Sequence, residues 1–322
     1  MSMLKYILKR IGLMLVTFSV IILICFVLIK LLPVNLNPEL GKDTLKPQQI
    51  FEMRGYNKPI LYQLFLYLKR IFLYGDFGIG LQMYYNQRVE SVFVTLLPPT
   101  ILINIYSSLL AIPIGLALGI FAALKKNKWQ DHLISTSVMV LISVPSFVYA
   151  FLILYLLCFK LGWFPQGIYS LEEAGGSYLT WKMFYSMLPP VFSMALGSIA
   201  GYTRYTRAEL TEVLTSEYML LARTKGLTKS QATVRHALRN AMVPIFPMII
   251  GEFIGVLSGS LVIEKIFEIP GVGGLYLDAI NKQDYDFFMF LSGFYILVSL
   301  AAGLVIDLSY GFIDPRIRMG AK

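Results

Sequence analysis

Charge, cysteine and histidine are all scarce in this chain of 322 residues. Only 15% of its residues are charged, where a soluble domain carries about a quarter. The two cysteines, Cys25 and Cys158, sit inside long apolar stretches, which argues against a disulfide framework or a thiolate zinc site. The two histidines, His132 and His236, are too few and too far apart to build a metal centre. No G-x-x-x-x-G-K-[ST] phosphate loop occurs, so the chain is not expected to hydrolyse ATP itself. No catalytic set and no cofactor site is expected within it. What the chain has instead is apolar bulk: 57% hydrophobic residues and a mean hydropathy of +0.66. Yet its formal net charge is +9. That combination excludes a soluble enzyme, a disordered chain and a nucleic-acid partner. It fits a polytopic membrane protein with its positive charge gathered in one place.

Uncharged runs place the spans. A bilayer core about 30 Å thick needs ~20 apolar residues in helical form. Residues 11–29, 91–124, 133–159, 183–203 and 287–306 carry no charge, and 240–263 carries only Glu252. The fold class is therefore all-α with six transmembrane helices, because the runs are continuous where a β-barrel would alternate. The run 91–124 is too long for one span, and Pro98 and Pro99 are expected to mark its helical start. The first run is longer than a signal-peptide core and reads as a retained anchor.

Basic residues set the orientation. Segments 1–10, 125–132, 202–239 and 307–322 hold 16 basic and six acidic residues. The alternate segments 32–90, 160–182 and 264–286 hold 11 basic and 12 acidic. Both termini are thus expected on the cytoplasmic side. Three regions follow: residues 1–31 as terminus and first span, 32–96 as an extracytoplasmic segment, and 97–322 as a five-helix core. In the second region Pro47 and Pro59 suit helix starts, and Gly55 and Gly75 suit helix ends. Between them Ile60, Leu61, Leu64, Phe65, Leu68, Ile71 and Phe72 recur at helical spacing. This amphipathic helix either lies on the outer face of membrane lipid or packs on the bundle.

The loop 202–239 carries the most mechanism. Residues 217–225 read as helix, and Gly226 fits the left-handed position just past its end. Thr228 and Gln231 form a capping box for a second helix. Two short helices on a glycine turn make a knob. Tyr218, Leu221 and Ala222 would offer a soluble partner an apolar face, flanked by Arg223 and Lys225. The same spacing also suits a solvated basic loop that only fixes topology.

Tyr218-Met-Leu-Leu-Ala-Arg-Thr-Lys-Gly-Leu227, then Arg235-His-Ala-Leu-Arg-Asn-Ala241 and Pro244, resembles the EAA loop of ABC importer permeases, and within them the oligopeptide/dipeptide family. Gly75-Asp-Phe-Gly78, Leu97-Pro-Pro-Thr100, Tyr202-Thr-Arg-Tyr-Thr-Arg207, Glu264-Lys-Ile-Phe-Glu-Ile-Pro-Gly-Val-Gly-Gly274 and Asp314-Pro-Arg-Ile-Arg318 are similar to further elements of that family, in its order. The name-giving Glu-Ala-Ala reads Leu220-Leu221-Ala222 here, so a glutamate role in docking is not carried over. The resemblance implies a type I ABC importer permease fold in a bacterial cytoplasmic membrane. It implies a second, non-identical permease subunit, two ATP-binding cassette ATPase subunits that bind the ATP and Mg, and an extracytoplasmic peptide-binding protein. Tyr218, Leu221, Ala222, Arg223, Lys225, Gly226 and Leu227 would then form the coupling contact with an ATPase.

Glu252 lies mid-span, where an ionisable group is costly, and is a candidate for the pathway. Gly271 and Gly273 are gate candidates in an outer loop; tight turns requiring positive φ are the plainer reading. Import of nickel or a metallophore is the alternative within the family. An ion-coupled secondary transporter using Glu252, or a structural membrane subunit, are alternatives outside it.

Overall fold

The computed structural model describes residues 3–32 and 46–313; the expected C-terminal element at Asp314–Arg318 lies outside them. Every named element among the described residues is helical. Five helices are long and apolar enough to cross a membrane, and a sixth span is formed if a bent pair counts as one. Both cysteines are free thiols.

The chain divides into two compact units, with breaks inside two long helices after Thr100 and after Ala301. The first unit contains α1 (Met3–Leu31), α2 (Pro47–Met53) and α3 (Ile60–Lys69), which runs on as a wider π-helical turn to Tyr74. It also holds the start of α4 (Val89–Leu124), α11 (Leu261–Ile266) as far as Glu264, α12 (Val272–Asn281) and most of α13 (Tyr285–Ile313). Pro47 opens α2 at its first turn, where its missing N–H costs nothing. Gly75 closes the turn after α3 at φ +58°, as its position in the sequence suggests.

α3 packs one face into the core of its unit and leaves the other exposed. Ile60, Leu64, Tyr67 and Ile71 pack with Phe26 and Ile29 of α1. Leu61, Phe65 and Phe72 project outward and are well exposed.

The joints of this unit are polar. Asp284, fully buried, accepts from the backbone N–H groups of Leu81, Gln82 and Met83 at 2.8, 2.8 and 3.1 Å. Burial, set against those three donors, pushes its carboxyl up to about 6. Asp286 accepts from Tyr56 Oη, and from Ile79 N–H at 3.1 Å, and lies 3.5 Å from Arg54. Lys30 Nζ sits between the rings of Tyr56 and Tyr285, 3.8 and 3.6 Å from their centroids. A desolvated ammonium gains from two ring faces at that range.

The second unit is built around α7 (Trp181–Leu214), which packs against α5 (Trp129–Ser143), α6 (Ser146–Ile153) and α10 (Leu238–Gly255). Thr180 caps α7 by accepting from Met183 N–H at 3.2 Å. Gly115 and Gly119 of α4 form a small-xxx-small pair against it. A Cβ at Gly115 would lie 2.6 Å from Tyr202 Cβ, and one at Gly119 2.6 Å from Thr206 Cβ. Without those side chains the backbones come close enough for Thr203 Oγ1 to donate to the Gly115 carbonyl at 3.2 Å. A polar joint binds α5 to α7: Arg207 reaches both oxygens of Asp131, whose exposure is 1%.

One expectation about proline is corrected, and another proline breaks a run. α4 begins at Val89 and runs for 36 residues straight through Pro98 and Pro99. Two successive prolines deprive the Val94 and Thr95 carbonyls of their backbone donors, a loss that helices of membrane proteins tolerate. The run 133–159 is not one straight helix. It breaks at Val144–Pro145, and its halves, Trp129–Ser143 and Ser146–Lys160, meet at 98°. Val144 is extended at φ −86°, ψ 126°, the region a following proline imposes.

Candidate functional site

Residues 215–241 form the expected knob in the second unit. α8 (Glu217–Thr224) ends at Lys225, and Gly226 follows at φ +90°. A Cβ at Gly226 would meet nothing within 4 Å, so glycine is required there by backbone conformation alone. Thr228 then opens α9 (Lys229–Ala232) with a reciprocal capping box. Its hydroxyl accepts from Gln231 N–H at 3.3 Å, and its own N–H donates to Gln231 Oε1 at 3.1 Å. A π-helical turn, Thr233–Ala237, leads directly into α10.

The faces of α8 differ from the expected set in one respect. Ala222 is only 7% exposed and points inward with Met219. Both join a cluster with Ala123 of α4, Leu210 of α7 and Ala232, Ala237 and Ala241. Leu227 packs against the edge of this cluster. The outward apolar residues are Tyr218, Leu221 and Leu220, the last 66% exposed. Arg223 and Lys225 are exposed beside them. Alanines at 222, 232, 237 and 241 are what let four helical segments approach this closely. The knob is therefore rooted in the ends of α4 and α7 and the start of α10 while three large apolar side chains stay in the open. An exposed patch of that kind marks a contact surface.

Glu252 lies on α10, 14 residues beyond its start, which is roughly 20 Å along the axis. Its Oε1 accepts from Ser198 Oγ of α7 at 2.9 Å. The Tyr202 hydroxyl, one turn further along α7 from Ser198, is buried and has no hydrogen-bond partner. Gly201 and Gly255 flank the group, and a Cβ at either would meet nothing within 4 Å.

Gly271 and Gly273 surround a different carboxylate. Glu264, 4% exposed, accepts from Thr100 Oγ1 at 2.9 Å and from Gly274 N–H at 2.9 Å. Thr100 Oγ1 in turn accepts from Val272 N–H at 3.0 Å. Burial raises the Glu264 carboxyl, and the hydrogen bonds it accepts oppose the rise. A Cβ on Gly271 would run into this carboxylate and the Thr100 hydroxyl, and one on Gly273 would sit 2.9 Å from Glu264 Oε2. The tight-turn reading of these two glycines is thus corrected. Gly271 has φ −120° and Gly273 lies inside α12. Their job is to admit a carboxylate, not to reverse the chain. Sequence reasoning named the glycines as site candidates and quoted Glu264 and Thr100 only as motif residues; that one motif begins at Glu264 and the other ends at Thr100 was the available signal.

Among the described residues no group of three or more His, Cys, Asp or Glu could hold a metal ion.

Residues 115–319 match the family described as "Binding-protein-dependent transport system inner membrane component". The chain is 34% identical to the "Dipeptide transport system permease protein DppB" of Lactococcus lactis subsp. cremoris, over 98% of this chain and 100% of that one. It is 32% identical to the protein of the same name from Bacillus subtilis, over 99% and 100% of the two chains. It is also 32% identical to the "Oligopeptide transport system permease protein OppB" of Salmonella typhimurium, over 98% and 100%.

Proposed function

The chain belongs to the binding-protein-dependent transport system inner membrane components, and on that footing we propose that it couples ATP-driven peptide import to motion of its own membrane helices through the knob at 217–232. It is a multi-pass membrane permease subunit of a peptide ABC importer. Such a subunit works with ATPase and substrate-binding partners. In the finer reading it forms half of the pathway beside a second, non-identical permease. Two ATP-binding cassette subunits bind the ATP and Mg and do the hydrolysis, and an extracytoplasmic binding protein delivers the peptide. The membrane is the bacterial cytoplasmic membrane, with both termini and the knob on the cytoplasmic side, in keeping with the basic residues of 202–239.

One observation carries the coupling assignment. The knob keeps Tyr218, Leu220 and Leu221 exposed while Met219 and Ala222 lock it to α4, α7 and α10. Apolar side chains that are free on one side suit a cleft on a soluble partner. Close-packed alanines on the other side transmit displacement, because a packed cluster shifts as a body. When the ATPase dimer closes, it moves α8. The shared cluster obliges α7 and α10 to follow, and those helices carry Ser198 and Glu252. Access then alternates without chemistry in this chain.

The test is uptake of labelled peptide into proteoliposomes holding the complete importer, with ATP inside and loaded binding protein outside. Leu221→Asp should remove ATP-dependent uptake and co-purification of the ATPase while the chain still inserts. Uptake at the wild-type rate would sink the coupling assignment.

A further inference from the structure

Glu252 poses a question that import alone does not answer. It is ionisable, lies about 20 Å from the start of its helix, and has one neutral partner, the Ser198 hydroxyl. Among the described residues no salt bridge reaches it. A carboxylate at membrane depth is held in place by a cation, a proton or water. Nearby, the Tyr202 hydroxyl is 2% exposed as a residue and lacks any partner. A buried hydroxyl left unmatched costs free energy, so a partner for it is expected in some working state. Tyr202 has little freedom to turn elsewhere, since its Cβ is wedged over Gly115.

Space is the second consideration. Gly201 and Gly255 are not demanded by packing inside this chain, because a Cβ at either would meet nothing. That contrasts with Gly115 and Gly119 on the neighbouring helix, where a Cβ would collide. The helix faces at Gly201 and Gly255, one turn from Ser198 and Glu252 respectively, are thus open within this chain. The group there offers a carboxylate, a hydroxyl oxygen and an unmatched hydroxyl, and among the described residues no ion pair occupies the carboxylate. Such a set takes a protonated primary amine: one charge-assisted bond to Glu252 and a second bond to a hydroxyl oxygen. A peptide carries that amine at its N-terminus or on a lysine. Resting on the importer reading above, we infer that Glu252, Ser198 and Tyr202 form a transient subsite for the protonated amine of the peptide in transit.

The test uses the complete importer in proteoliposomes at saturating, loaded binding protein. Initial uptake is compared for a peptide with a free amine, its N-acetylated form without lysine, and an N-acetylated form with one lysine. Loss of one charge-assisted contact is worth about tenfold. Glu252→Gln should therefore lower the ratio of free-amine to acetylated, lysine-free uptake about tenfold, and Glu252→Asp should restore most of it. A matching loss for the acetylated lysine peptide shows that any amine serves; no loss for it restricts the subsite to the N-terminus. Equal slowing of all three peptides overturns the inference, as does loss of the second permease on purification of Glu252→Gln, which would make Glu252 an inter-subunit contact. An unchanged ratio overturns it too. A wild-type complex that moves no peptide would overturn the importer reading itself.

Discussion

Arg207→Ala is the most informative single perturbation of the fold. Asp131 is 1% exposed, and it accepts from Arg207 Nη2 at 2.8 Å with one oxygen while the other meets Nε. Asn127 N–H at 2.9 Å and Ser135 Oγ at 3.3 Å complete its shell. Removing one partner of a buried pair costs about 3–5 kcal/mol, because the remaining charge is stranded. Two moderating features apply here. The Arg207 side chain is 33% exposed, so solvent already screens it, and the backbone donor at Asn127 survives the change. We expect a loss of about 2–3 kcal/mol, at or below the lower limit of that range. For a domain of this size that is roughly 4–10 °C in melting temperature. The assay is thermal denaturation of the detergent-solubilised protein, followed by gel filtration of the surviving monodisperse fraction. Arg207→Ala/Asp131→Ala should recover at least half the loss, since the stranded charge is gone. A single mutant within about 1 °C of wild type, or losses that simply add, would refute the account.

Three further outcomes are expected. Gly226→Pro should abolish ATP-coupled uptake with membrane insertion intact: proline holds φ near −65° where the chain needs +90°, and normal uptake would dissociate the turn from coupling. Gly271→Ala should loosen the Glu264–Thr100 joint and expose residues 265–275 to protease at lower concentrations than wild type, whereas alanine at Gly226, which has open space, should leave that digestion pattern unchanged. Asp284 holds its proton up to about 6 in the folded protein, against 3.8 for the free group. Between those values the folded state binds more protons, so this group's stabilisation is complete below the lower one and is lost as pH rises through the upper. The wild-type melting temperature minus that of Asp284→Asn should therefore fall from pH 4 to pH 6.5 and then level off; a flat or rising difference would contradict the sign.

Local features were the legible ones. Charge-free runs gave the spans because membrane depth forbids charge over some twenty residues at a stretch, and no distant partner is needed to see it. Gly226 and the Thr228–Gln231 box announced the knob because both act within four residues. Most misreadings involve something far along the chain. Ala222 looked like part of an exposed face by helical spacing, but the choice of face is made by Leu210 and Ala237. Gly271 looked like a turn because glycine usually means positive φ, and the true reason is a side chain at 264 and another at 100. Arg207 and Asp131 are separated by 76 positions, and nothing in either neighbourhood advertises the other. The prolines are a separate, local case: Pro98 and Pro99 suggested a helix start where α4 runs on unbroken, and the break at Pro145 lies inside a run whose hydropathy is continuous.

The joints at Asp284 and Asp286 have a consequence for how the protein is made. Leu81, Gln82 and Met83 present their N–H groups to a carboxylate that follows them by about 200 residues. At ~5–20 residues per second a ribosome needs roughly 10–40 s to supply it. Through that interval the Tyr56 hydroxyl and the N–H groups of Ile79, Leu81, Gln82 and Met83 wait without these acceptors. A nascent or truncated chain that stops before residue 284 is therefore recognisably unfinished, with open polar groups between otherwise inserted helices. Proofreading is built into the order of synthesis: the last span to emerge is the one that closes the first.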